Sequence, residues 1–431
     1  MDDNSKIDRW GGDKIGLLGL LVLSLIAARL TVAFKSSIAL SEPIPLPHTG
    51  LSMSVPNGNG WRTESQWMYD DHTFILRSVF APRSDRATAW ANCQYCWAAK
   101  AAPPEDRFAW KASEIDGEIV ETGQIQADTL TIDWAHIERP DFLLTTFWGT
   151  TKLPNGRQLD IEVHQILSDP ELPGRIFNRI VESISFKTDA LLDAGAEVVA
   201  AIKSEGLNGH LTGLSEPTLF LIRDPSGQSI GFTMETLMDA GTGERLNVRG
   251  AGFLYNRGRN AGEQERTFRC SNHLDAFAYT SRLYSRDGRS GTQVVFDETG
   301  GMTVTSTGSQ LDVKKYYPGP AALPDFLFDA ILRQMLDSDK SRIAVDLIDA
   351  GGQIIPTTIS RIEQVNPRAG YAFKLESLVG SQKIYLDEQR QISRRLIQHE
   401  GLYVLARTSA QNIAREFPEH AKRILRSNRV L

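Results

Sequence analysis

Apolar and polar positions alternate along much of the chain, in short runs bounded by turn residues. Residues 51–55, 73–80, 88–100, 143–148 and 159–167 carry this alternation, which predicts half-buried antiparallel strands. Asn155-Gly156, between two of these runs, signals a tight hairpin. Residues 113–121 fit neither period cleanly. Beyond Pro173-Gly174 the pattern changes: Ile176, Phe177, Ile180, Val181 and Ile184 recur at helical spacing and predict a helix with one apolar face. Residues 189–205 predict a second helix, with Asp189 as its N-cap and Gly206 as its stop. Alanine and glycine dominate it, so it is expected to bury little area and to act as a connector.

From residue 209 onward, strand-like pieces such as 293–296, 302–305 and 371–375 are separated by Pro225-Ser226-Gly227, Asp287-Gly288, Gly300-Gly301 and Gly351-Gly352. This is the rhythm of an antiparallel meander. One helix interrupts it, with Pro324 in its first turn, one row of Leu327, Ile331 and Met335, and an adjacent row of Phe328 and Leu332. A last helix is expected near 409–417, before a basic tail of Lys422, Arg423, Arg426 and Arg429 that is read as a solvated end or a contact to anionic headgroups.

Ile15 to Phe34 is the longest apolar run, with Arg29 its only charge. About 20 apolar residues span a bilayer core as helix. Lys6, Arg9 and Lys14 precede the run and Lys35 follows, a bias that favours an inside N-terminus. The expectation is a single-pass inner-membrane protein: cytoplasmic tail 1–14, transmembrane anchor 15–34, proline-rich spacer 35–48, and an extracytoplasmic bulk. A cleaved signal peptide, with an apolar core over 15–28 and a small-residue site at Ser37-Ile38-Ala39, is the alternative; a buried soluble helix is the third. The bulk divides into 49–188, a connecting helix 189–208 and a β-rich 209–431. The fold class expected is α+β: an N-terminal membrane helix, then an α/β/α sandwich and a half-barrel-like sheet around a central helix, each antiparallel.

Net charge of −6 argues against a general nucleic-acid binder. Three cysteines, Cys93, Cys96 and Cys270, are too few for a disulfide scaffold. Cys93-Gln94-Tyr95-Cys96 sits in a strand-like stretch, where residues three apart face opposite sides, so a structural role, a local disulfide and redox chemistry all remain open. Eight scattered histidines form no metal-ligating spacing, and no nucleophile elbow, P-loop or dinucleotide fingerprint occurs. Catalytic, cofactor-binding and metal residues are therefore assigned to none, and no cofactor is expected. Trp61, Trp67, Trp90, Trp97, Trp110, Trp134 and Trp148 are read as core and rim, or as a ligand platform.

Leu51-Ser-Met-Ser-Val-Pro56 leading to Gly60-Trp61-Arg62, with the closing stretch Ile176 to Phe186, resembles PsbP-like proteins over about 140 residues. Phe220 to Phe232, the central helix, and Lys383 to Ile392 with the strand after it are similar to proteins built on the half-barrel of the lipoprotein carrier LolA. Both resemblances imply binding or scaffolding, not catalysis. The function expected is thus a non-catalytic binding or scaffolding role in the cell envelope, with the membrane and a lipid or envelope protein as partners. Apolar-ligand binding in a groove lined by Phe326, Leu327 and Ile331 is one alternative. An enzyme with a site assembled from distant residues is the other.

Overall fold

The computed structural model describes residues 22, 24, 38–46, 49–58, 60–70, 73–81, 88–97, 104–153, 157–166, 171–187, 190–207, 217–239, 248–257, 262–285, 288–307, 311–362, 370–377, 380–398 and 401–427. Strands dominate. Twenty-six of them, among the described residues, form sheets of three, eight and fifteen strands. This overturns the α+β expectation: two strands of ten residues each, Glu118–Ala127 and Leu130–Arg139, and the unbroken extent of the largest sheet make the chain mainly β. The expected membrane helix over 15–34 lies outside the described residues except for Val22 and Ser24. No helix among the described residues is long and apolar enough to cross a membrane.

The eight-stranded sheet alternates cleanly. Along Arg157–Ile166, Leu159, Ile161 and Val163 face an apolar core, while Asp160, Glu162 and His164 face the opposite side. The helix Glu171–Glu182 covers the first face through Ile176, Phe177, Ile180 and Val181. The helix Pro104–Glu114 approaches the second, where Arg107 pairs with Asp160 and Lys111 with Glu162. Cys93 lies in the core, Cys96 lies three residues on along the same strand, and both are free thiols. Trp67 and Trp148 are buried, Trp134 stacks on Phe147, and Trp110 is exposed. The proline run does not hold the body at a distance. Ile44–Pro45 pairs with Leu51–Met53, and Leu46 is buried.

The fifteen-stranded sheet is two meanders joined at one seam. The first runs outward from Thr218–Arg223 to the edge strand Leu311–Tyr316; the second runs from Leu402–Arg407 back to the edge strand Ala322–Pro324. Thr218–Arg223 pairs with Leu402–Arg407 across the seam. Alternation fails in this seam strand because both its faces are covered. Phe220 and Ile222 point into the main core, while Leu219 and Leu221 lie under the C-terminal helices Ala410–Glu416 and Ala421–Ser427. The sheet curls until its ends nearly meet. A Cβ added at Gly352, in the turn after Arg342–Ile348, would stand 2.6 Å from Val304 near the other edge. Large twisted sheets curl this way to bury one face, as barrels do.

Four hairpins of this sheet use one loop design. Asp224, Asp297, Asp349 and Asp387 each accept, through Oδ1, the amide of the residue four positions on. The residue at the third position after each aspartate has positive φ: Gly227, Gly300, Gly352 and Arg390. An aspartate side chain that satisfies the loop amides, with a left-handed residue after it, turns the chain without orphaned donors.

Two helices fill the curl. Phe328–Asp337 buries Phe328, Ile331, Leu332 and Met335. Ala190–Glu205 lies against it and on the strand Arg342–Ile348. The expectation that this helix is a spacer burying little area is corrected. Val198, Val199 and Ile202 are fully or nearly fully buried, and Gly195 sits so close to the strand that an added Cβ would be 1.8 Å from the Ala344 carbonyl oxygen. Its small residues serve close approach, and its apolar side is continuous with a core that runs from Leu46 to Leu405. The eight-stranded and fifteen-stranded sheets are further tied by an ion pair between Arg157 and Asp346, whose side chains are 2% and 3% exposed.

Candidate functional site

The curl is not completely filled. Between the seam strand and the start of the helix Phe328–Asp337 lies a cavity of about 160 Å³. At roughly 30 Å³ per water it holds about five. Its apolar walls come from Phe220, Leu237, Phe326 and Leu347. Gly250 makes room for the Phe326 ring, whose edge would stand 2.4 Å from a Cβ there, and Phe326 stacks on Phe268 at 5.3 Å.

Charged groups enter the cavity from five elements. Arg266 comes from Gly262–Cys270, in line with the inward Phe268 and Cys270. It pairs with Glu235, lies 3.8 Å from Asp325, and donates to the Tyr279 hydroxyl at 3.3 Å. Tyr279 in turn donates to Asp325 at 2.9 Å. Burial pushes the Tyr279 phenol well above its ordinary range and raises the Asp325 carboxyl, against the lowering pull of Arg266. Asp325 keeps 31% of its side-chain exposure, all the same. This group is a closed chain: every member has a partner.

Arg395 and Asp329 are different. Arg395 comes from the strand Ile392–Gln398 and lies over the Phe220 ring, its guanidinium carbon 5.5 Å from the centroid. Its Nε is buried without a hydrogen-bond partner. Burial lowers its affinity for a proton, partly offset by Asp329 and Asp325. Asp329, in the first turn of the helix Phe328–Asp337, has its carboxyl raised by burial, while Arg395, Arg333 and Arg407 pull it down. Each feels the other's charge, yet no direct ion pair joins their side chains among the described residues.

A second chamber of about 220 Å³ adjoins, sharing Asp325, Leu347 and Gln382 with the first. Asp349, Thr357, Ser377, Ser381 and Gln398 line the remainder. Burial pushes the Asp349 carboxyl up to about 6, although two loop amides donate to it.

Of the groove residues expected from sequence, Phe326 and Leu327 line the cavity, while Ile331 is fully buried in the core beneath. The walls carry charge as well as apolar area, which does not match a channel for an acyl chain. Sequence reasoning missed Arg266, Asp329 and Arg395. A signal was present in Arg394-Arg395: adjacent arginines in a strand face opposite sides, so one of them must point inward. Of the basic tail, Arg423 pairs with Glu263 and Glu265 and covers the Phe253 ring at 3.9 Å, while Lys422 is exposed and Arg429 lies outside the described residues.

No family model matches the chain, and no curated protein matches it. Among solved structures, a β-barrel-like protein of a domain of unknown function from Brucella abortus is similar at 7% identity and a TM-score of 0.33, over 44% of this chain and 94% of that one. A protein from Bacteroides thetaiotaomicron is similar at 11% identity and a TM-score of 0.23, over 39% and 62%. Neither likeness is strong enough to carry an argument.

Proposed function

We propose that this chain is a binding protein, without catalysis of its own, that holds a small polar ligand inside the curled sheet. One observation carries this reading: two opposite charges, Arg395 and Asp329, face one cavity with no ion pair among the described residues, and the Arg395 Nε there is buried and unmatched. Both residues are partly exposed, but the Arg395 Nε is buried without a partner, and such a group is costly to stability. A protein that keeps them in a cavity fits a site completed by a ligand. The walls around them are held by packing and by the Arg266–Tyr279–Asp325 chain, so the site is preorganised. About 160 Å³ suits a ligand of a few heavy atoms, well below the volume of most drug-sized sites.

The test is ligand-observed NMR on the full chain, with a panel of small anions, cations, zwitterions and neutral polyols. Gln382→Trp serves as a cavity-filled control, because Gln382 borders both chambers. Binding that disappears in the filled variant supports the reading. Absence of binding by every class, or binding that survives the filling, sinks it.

A further inference from the structure

We infer that the ligand is a small zwitterion of amino-acid size, its anionic group on Arg395 and its cationic group on Asp329. This rests on the binding role proposed above and names the ligand class of the same cavity. Arg395 presents a guanidinium whose Nε is buried and unmatched. A carboxylate is the group whose geometry answers such a fork. Asp329 presents a carboxylate with no donor among the described residues, and an ammonium answers it. The two side chains line the same cavity without an ion pair between them, so a molecule carrying both charges can meet each.

The remaining polar groups do not compete for it. Arg266 is occupied by Glu235, Tyr279 and Asp325, which leaves Arg395 and Asp329 as the cavity-lining charges without an ion pair among the described residues. A singly charged ligand would satisfy one of them and leave the other buried alone. Phe220 and Phe326 offer apolar contact for a short side chain.

The probes are L-alanine and its two halves, propionate and ethylammonium, titrated into the full chain by calorimetry. L-Alanine is expected to bind at least about tenfold more tightly than either half, as a second charge-assisted contact warrants. Arg395→Gln should weaken L-alanine by at least about tenfold and leave ethylammonium unchanged. Asp329→Asn should weaken L-alanine similarly and leave propionate unchanged. Arg395→Lys and Asp329→Glu, which keep the charges, should restore part of the affinity and guard against loss through misfolding. If propionate or ethylammonium matches L-alanine, the cavity is a single-charge site and the zwitterion is wrong, while the binding role stands. The zwitterion is equally wrong if other classes bind in a manner sensitive to Gln382→Trp and L-alanine does not. If no probe of any class binds, both fall.

Discussion

Two inward-facing arginines in this protein, one buried and one partly exposed, meet opposite circumstances. Arg157 is 2% exposed and is paired with Asp346 across the contact between the eight-stranded and fifteen-stranded sheets. It also lies over the Tyr95 ring at 5.4 Å. Arg395 lines a cavity, stacks on Phe220, and has no ion pair among the described residues. The first arginine has an ionic partner within the protein, although its Nε and Nη1 are also on the buried side without a hydrogen bond; the second has no ion pair among the described residues. A buried charge that is matched belongs to the architecture, because removing one partner strands the other. A buried charge left unmatched beside empty space is a cost the fold carries for something else.

The largest expected effect lies at the matched pair. Asp346→Asn should destabilise the chain by about 3–5 kcal/mol in urea unfolding, since it leaves Arg157 charged and enclosed. Replacing both, as Arg157→Met with Asp346→Leu, should recover most of that loss. A double variant as unstable as the single one would mean that shape, not charge, holds the two sheets together.

Next comes Gly195, where the helix Ala190–Glu205 presses on the strand Arg342–Ile348. Gly195→Ala places a methyl group 1.8 Å from a carbonyl oxygen, so helix or strand must move. Overpacking of this kind costs about 1–3 kcal/mol. A melting temperature equal to the wild type would show that the contact is looser than described. The same packing bears on where the chain divides. A fragment beginning at residue 209 lacks this helix and exposes the apolar strand beneath it, so it should melt less cooperatively than one beginning at residue 189.

These two places also show what the sequence can and cannot reveal. Alternation locates the strand Thr73–Phe80 with its observed bounds, because one face is buried and the other polar. Helical spacing locates Glu171–Glu182 for the same reason. The helix Ala190–Glu205 is legible, but its role is not. Small residues read as weak packing, when here they permit the closest helix–strand approach in the curl. Glu118–Ala127 escapes the pattern because it is an edge strand exposed along nearly its whole length, so no apolar face marks it. The cavity is illegible for another reason. Its charged groups come from residues 235, 266, 325, 329 and 395, which only the curling of the sheet brings together.

A smaller effect is expected from pH, through Asp349 in the chamber beside the cavity. Its folded carboxyl titrates near 6 against an ordinary value of 3.8. Between those values the folded chain binds more protons than the unfolded one, so stability is fullest below about 4 and falls as pH rises through about 6. Asp349→Asn should flatten that slope in urea titrations at pH 4, 5, 6 and 7. An unchanged slope would place its origin elsewhere. Smaller still is Gly300→Ala. Gly300 has φ of +79° and open space around it, so only backbone strain is added, about 1 kcal/mol. A loss much above that would mean the loop makes contacts beyond its own hairpin.

The comparison is tested most directly at the open arginine. Urea unfolding of Arg395→Gln at pH 7, without ligand, should give a midpoint close to that of the wild type, because the charge removed takes part in no ion pair and the loss of its pull on Asp329 is offset by the relief of its own desolvation. A loss matching that of Asp346→Asn would make Arg395 a structural group like Arg157, and the cavity would no longer read as a binding site.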